Sequence, residues 1–293
     1  MTGWKILNHD FRAPIQGGEP IWDGVALPHI LPTVKVDDSE AECSYGWNFF
    51  NALAEAISIA GLWRTGRPNA MFAVDAPTAV KRKTKYRAAD LTLVRLATED
   101  EIRAAITDFS KVFQCPGIDQ EQWLWYQALG RPMHDEQAVI VGLQQALEAR
   151  GLSWTLRRFD TARDARDAWD AREAWAARDA WAAWAAWDAW AARDASDAWA
   201  AWGPRAARAA RDARDARDAW DAWDARDAWA ARAASAAWDA RAALSVHVAA
   251  ARGWISHDRH LLTTGLRDAY RNGLDVALPT GPNKLGYVMG ADL

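Results

Sequence analysis

The chain is poor in cysteine: Cys43 and Cys115 are the only two in 293 residues. Two thiols cannot build a disulfide framework, so a reducing compartment is expected. There is no run of 18 or more apolar residues, which excludes a single membrane-crossing helix. The start, Met1-Thr2-Gly3-Trp4-Lys5-Ile6, lacks the basic and apolar regions of a secretory leader. These absences together predict a cytoplasmic protein. A charge excess of one sign is missing too: 35 Lys+Arg against 39 Asp+Glu leave −4, so bulk attraction to nucleic acid is excluded. Walker, GxGxxG, GxSxG, CxxC and HExxH patterns do not occur, so neither a reaction nor a cofactor is predicted. Charged residues at 25% and hydrophobic ones at 51% argue against global disorder.

What the chain has instead is tryptophan, 20 residues of it, against 12 Phe and Tyr together. Twelve of the 20 lie in residues 161–244, which read as 28 consecutive triplets without a frame slip. Column one is Asp or Glu 15 times and Ala 11 times, with Thr161 and Gly203 besides. Column two is Ala in 27 triplets, with Pro204 the exception. Column three is Arg 13 times and Trp 12 times, then Ser196, Ser235 and Leu244. Slippage of a short codon repeat accounts for the period. It does not account for the contrast between a drifting first column and a constant second one, which suits a position that tolerates only a small residue.

The alanine content favours a helix, and Asp and Arg of neighbouring triplets fall at helix-supporting spacings. An α-helix turns about 100° per residue, so each column winds around the whole cylinder and no apolar stripe forms. A 3₁₀ helix has three residues per turn, so the columns become three faces, with Arg near Trp in one of them. Long 3₁₀ runs are uncommon, which favours α. Polyproline II shares the period but not the composition.

Gly203-Pro204 is the one break, dividing the repeat into arms of 42 and 40 residues. Near-equal arms predict an antiparallel helical hairpin, with one kinked rod as the alternative. Each arm would be roughly 60 Å long as α or about 80 Å as 3₁₀. Trp181, Trp184, Trp187 and Trp190 crowd the first arm. Arg205, Arg208, Arg211, Arg214 and Arg217 open the second, beside Trp199 and Trp202, and Trp220, Trp223 and Trp229 follow. Twelve Trp are too many for a two-helix element to bury alone, and exposed aromatic surface marks a partner or self-association site. A homo-oligomer or a protein partner is therefore expected.

The rest is ordinary in texture. Trp4–Leu7, Thr33–Val36, Met71–Asp75 and Ala89–Ala97 read as strands, and Asn48–Leu62 as a helix. Thr98-Glu99-Asp100-Glu101 caps a helix running through Phe113. Further helices are expected over Gln122–Leu129 and Asp135–Arg150, and from Ser256 to Arg271, closed by Asn272-Gly273. The tail with Pro279, Gly281-Pro282 and Gly286 reads as extended chain.

Within this region, Cys43-Ser44-Tyr45-Gly46-Trp47-Asn48-Phe49, a helix, MFAVDA and KYRAADLTLVRL follow in order. Residues 40–100 so arranged resemble a small uncharacterised α+β domain of bacterial and phage proteins that can precede repeat regions. In that domain the pattern is roughly Cys-x-x-Gly-aromatic-His. Asn48 stands here in place of the His, so no role of that His carries over. The resemblance implies a fold and no chemistry.

Candidate chemistry is sparse. Lys81, Arg82, Lys83, Lys85 and Arg87 form a basic run around Tyr86 that suits an anion, or a solvated loop between strands. Cys43 has no histidine partner by spacing and reads as a structural thiol. His257 and His260 stand three apart with His247 nearby, but without a zinc pattern a capped helix is the simpler reading. The sequence thus predicts an α+β head at 1–115, a helical base at 116–160, a long helical triplet-repeat stalk at 161–244 and a segment at 245–293 packing on the base, mainly helical overall. It predicts a non-enzymatic interaction protein working through the stalk. An enzyme in the head, with the stalk as assembly device, and membrane-surface association through Trp and Arg are the alternatives.

Overall fold

The structure is a computed structural model and describes residues 1–15, 17–37, 45–130, 133–149, 152–161, 164–165, 240, 244, 260–281 and 284–290. The chain divides into two compact units, Met1–Gln114 and Cys115–Leu293.

In the first unit, β1 (Thr2–Leu7) pairs antiparallel with β4 (Ala70–Asp75), from Thr2 opposite Asp75 to Leu7 opposite Ala70. Next to β4 lies β7 (Thr92–Leu96), and beyond it the short β2 (His29–Ile30). A second antiparallel sheet joins β3 (Trp47–Phe49), β6 (Tyr86–Ala88) and β5 (Val80–Lys81). The two sheets meet where Trp4 and Phe50 exchange backbone hydrogen bonds of 2.7 and 2.8 Å. Gly3 permits this approach: a Cβ there would stand 2.5 Å from the Phe50 carbonyl oxygen. Leu7, Phe49, Phe72, Val74, Leu91 and Leu93 form the core, with Trp22 against it. Helix α1 (Leu53–Ala60) buries Leu53, Ala56, Ile57 and Ala60, an i, i+3, i+4, i+7 stripe. Helix α2 (Glu99–Ser110) opens on a capping box between Thr98 and Glu101, and a 3₁₀ turn over Lys111–Phe113 follows it.

The second unit starts with α3 (Ile118–Gly130), α4 (Glu136–Glu148) and β8 (Thr155–Phe159). It resumes with α5 (His260–Arg271), β9 (Leu274–Gly281) and β10 (Lys284–Met289). Strand β10 is central: it pairs antiparallel with β9 and parallel with β8, from Lys284 opposite Thr155 to Val288 opposite Phe159. Leu285 to Val288 are all buried, as a central strand requires. The repeat is therefore an insertion within one unit rather than a tail.

The mainly helical body with a long helical hairpin that the sequence predicts is corrected by this arrangement. The described residues hold five α-helices and ten strands in three sheets, an α+β structure. Pro279, Gly281 and Gly286, breakers by local preference, belong to the β9–β10 pair, because strand pairing compensates for weak local preference. The helix expected over Asn48–Leu62 starts only at Leu53. Residues 47–49 are β3 instead, because Phe49 fills the core and stacks on Tyr86 at 5.6 Å. No strand forms over Thr33–Val36; the pairing with β7 is made earlier in the chain, by His29 and Ile30.

Candidate functional site

Trp181, Trp184, Trp187, Trp190, Trp199, Trp202, Gly203, Pro204, Arg205, Arg208, Arg211, Arg214, Arg217, Trp220, Trp223 and Trp229 lie outside the described residues. A few residues at the repeat's two ends are described. The Asp164 backbone N–H donates to Thr161 Oγ1 at 3.1 Å, and the Ala165 N–H to the Thr161 carbonyl at 3.2 Å, so the first triplet opens on a capped turn. Ala165 and Ala240, both of column two, have no exposed surface. Asp164, of column one, is exposed, and Leu244, which ends column three, is half-buried. Where the repeat can be followed, its constant column faces inward.

The basic run Lys81–Arg87 is divided by the β5–β6 hairpin. Lys81 and Lys83 are exposed at the turn, Arg82 is half-buried, and Lys85 and Arg87 are buried. Arg87 Nη1 donates to the Asp37 carbonyl at 2.8 Å, and Arg82 Nη2 reaches the same oxygen at 3.4 Å. The Arg87 side chain crosses over Gly46, where a Cβ would come within 2.6 Å of Arg87 Cγ; the Gly46 φ of +127° suits glycine as well. Arg87 thereby ties Asp37 and Gly46 to the hairpin.

A third cation joins from β1, one that nothing in the local sequence announces. Lys5 is buried, donates from Nζ to the Asn48 carbonyl at 3.0 Å, and sits 5.5 Å from the Trp47 ring centre. Burial, and then the charge of Lys85, push its pKa down to about 8. The basic run is thus partly internal, with Arg82 and Arg87 on the Asp37 carbonyl, and partly exposed, at Lys81 and Lys83.

Cys43, His247 and His257 are also outside the described residues, while the Cys115 thiol is buried and donates to the Pro116 carbonyl at 3.8 Å. His260 begins α5. Among the described residues no group of His, Cys, Asp and Glu could hold a metal ion, and no helix is long and apolar enough to cross a membrane.

The chain matches no family model, no curated protein and no solved structure. No residue role can therefore be carried over from a relative, and any role must rest on the geometry alone.

In the second unit that geometry centres on the contact between α4 and α5. A Cβ on Gly142 would stand 2.5 Å from the Gly265 carbonyl oxygen and 2.9 Å from the Ala269 nitrogen. A Cβ on Gly265 would stand 2.5 Å from the Gly142 oxygen and 2.9 Å from the Ala146 nitrogen. Beside the crossing, Arg267 Nη1 donates to both carboxylate oxygens of Glu121 on α3 at 2.7 Å, with only 14% and 6% of the side chains exposed. Tyr287 of β10 donates to Glu136 of α4 at 2.8 Å. Burial and that bond raise the Tyr287 pKa to about 12. A signal for the crossing is present in the sequence: Gly142-Leu143-Gln144-Gln145-Ala146 and Gly265-Leu266-Arg267-Asp268-Ala269 share Gly-Leu-x-x-Ala, each followed within nine residues by another Gly-Leu.

Proposed function

We propose that the protein is an assembly protein that self-associates through the Trp/Arg/Asp/Ala repeat carried as an insertion by its second unit. The observation behind this reading is the burial of Ala165 and Ala240 beside the exposed Asp164. Ala holds the second position of 27 triplets and is buried at both of the described ones, which leaves the acidic and the Trp/Arg columns for contact. Those columns hold 15 acids, 13 Arg and 12 Trp, so one copy complements another in charge and offers its guanidinium groups aromatic faces. A partner of a single charge would meet no such match. Trp and Arg are also the side chains that dominate the energetics of protein interfaces.

The test is light scattering of the full chain over a wide concentration range, beside a variant with Trp181, Trp184, Trp187 and Trp190 changed to Ala. Size should grow with concentration in the parent and grow less in the variant. One unchanging monomer mass in the parent overturns the reading.

A further inference from the structure

We infer that the second unit closes between two copies as well as within one, by exchange of its C-terminal half, and that the partner fitted to this surface is a second copy of the chain. This rests on the self-association proposed above and names a contact through which two copies join.

The unit is built of two halves, Ile118–Phe159 and His260–Met289, and 100 residues separate Phe159 from His260. Almost everything described that closes the unit crosses from one half to the other. Strand β8 pairs with β10, Arg267 reaches Glu121, and Tyr287 reaches Glu136. The Met133 and Asp135 N–H groups donate to the carbonyls of Arg271 and Asn272 at 2.6 and 3.0 Å. None of these interactions involves the chain that joins the halves, so all can form equally well between halves of different copies.

The crossing joins the halves as well: Gly142 of α4 lies against Gly265 and Ala269 of α5, and Gly265 against Gly142 and Ala146. What favours closure within one chain is the effective concentration imposed by the connection, and that falls as the connection lengthens. A connection of 100 residues weakens the advantage, and a connection that itself associates reverses it by bringing a second copy near. Exchange of an identical element costs little, because each interaction given up inside one copy is remade between copies.

The test uses full chains. Thr155 and Lys284 are both exposed and face each other on parallel strands. Adjacent strands lie within the span of a disulfide. A chain carrying Thr155→Cys and a chain carrying Lys284→Cys are unfolded, mixed, refolded and oxidised. Exchange gives a covalent dimer in the mixture that neither chain gives alone; Cys43 and Cys115 are common to all samples and set the background. Associated protein without the mixed disulfide, when a single chain bearing both substitutions closes its own, overturns the exchange and leaves the repeat as the sole contact. A monomer throughout overturns both. A second readout is charge reversal. Glu121→Arg and Arg267→Glu chains refolded together should recover more folded second unit than either does alone. No recovery, with the doubly reversed single chain folded, overturns the exchange.

Discussion

The two units reach stability by different routes. Met1–Gln114 is closed by strands drawn from one continuous stretch of chain, around an aromatic and aliphatic core in which two buried cations lean on carbonyl oxygens. Cys115–Leu293 is closed by halves that lie far apart in sequence, through a glycine crossing, a parallel strand pair and a buried ion pair. Sequence distance is thus no bar to closure: among the described residues, β8 with β10, Arg267 with Glu121 and Tyr287 with Glu136 join halves on either side of the repeat.

Arg267→Met should break that contrast most severely. It leaves Glu121 buried without its partner, a loss of about 3–5 kcal/mol, so the second unit should unfold first in a denaturant titration while the first keeps its own transition. Lys5→Met should act in the opposite sense on the first unit. With the folded pKa near 8 and the ordinary value at 10.5, the unfolded chain binds a proton between those pH values that the folded one does not. Stability should therefore rise with pH across that window, and the variant should be more stable at pH 7 and lose the rise, by up to about 3 kcal/mol. Denaturant midpoints of both proteins measured from pH 7 to 10.5 check this. Gly142→Ala should cost about 1–3 kcal/mol by forcing the two helices apart, visible as a lower thermal midpoint of the second unit alone. Thr98→Ala should cost only about 1 kcal/mol, because it removes one cap of α2 and leaves the core untouched; the thermal midpoint of the first unit reads it. A loss in the wrong unit for any of these substitutions would break the comparison.

Much of the first unit is legible in the sequence. Strands at 71–75 and within 89–97, and a helix capped by Thr98, are written in local alternation and capping residues, and the structure has them at Ala70–Asp75, Thr92–Leu96 and Glu99–Ser110. The failures are instructive. Asn48 and Phe49 look helical because of the apolar periodicity that follows them, but Phe49 is worth more stacked on Tyr86 than in a first helical turn. The β9–β10 hairpin is hidden because its glycines and proline suppress any strand signal, and its partner β8 lies beyond the repeat. Lys5 and Arg87 look like surface cations, since nothing local announces that main-chain oxygen waits for them inside. The Gly-Leu-x-x-Ala pair is visible but drowned by a much louder period.

By itself the sequence determined the triplet register, the constant alanine column, the balance of charge and the absence of a disulfide framework, all of which are properties of composition and order along the chain. Only the tertiary structure decided that strands on either side of the repeat pair, β8 with β10. It also decided that the glycines at 142 and 265 are a crossing point and that three cations, Lys5, Lys85 and Arg87, are interior. The physical reason is common to all of these: burial and strand partnership are set by residues remote in sequence, and local preference is too weak to oppose them.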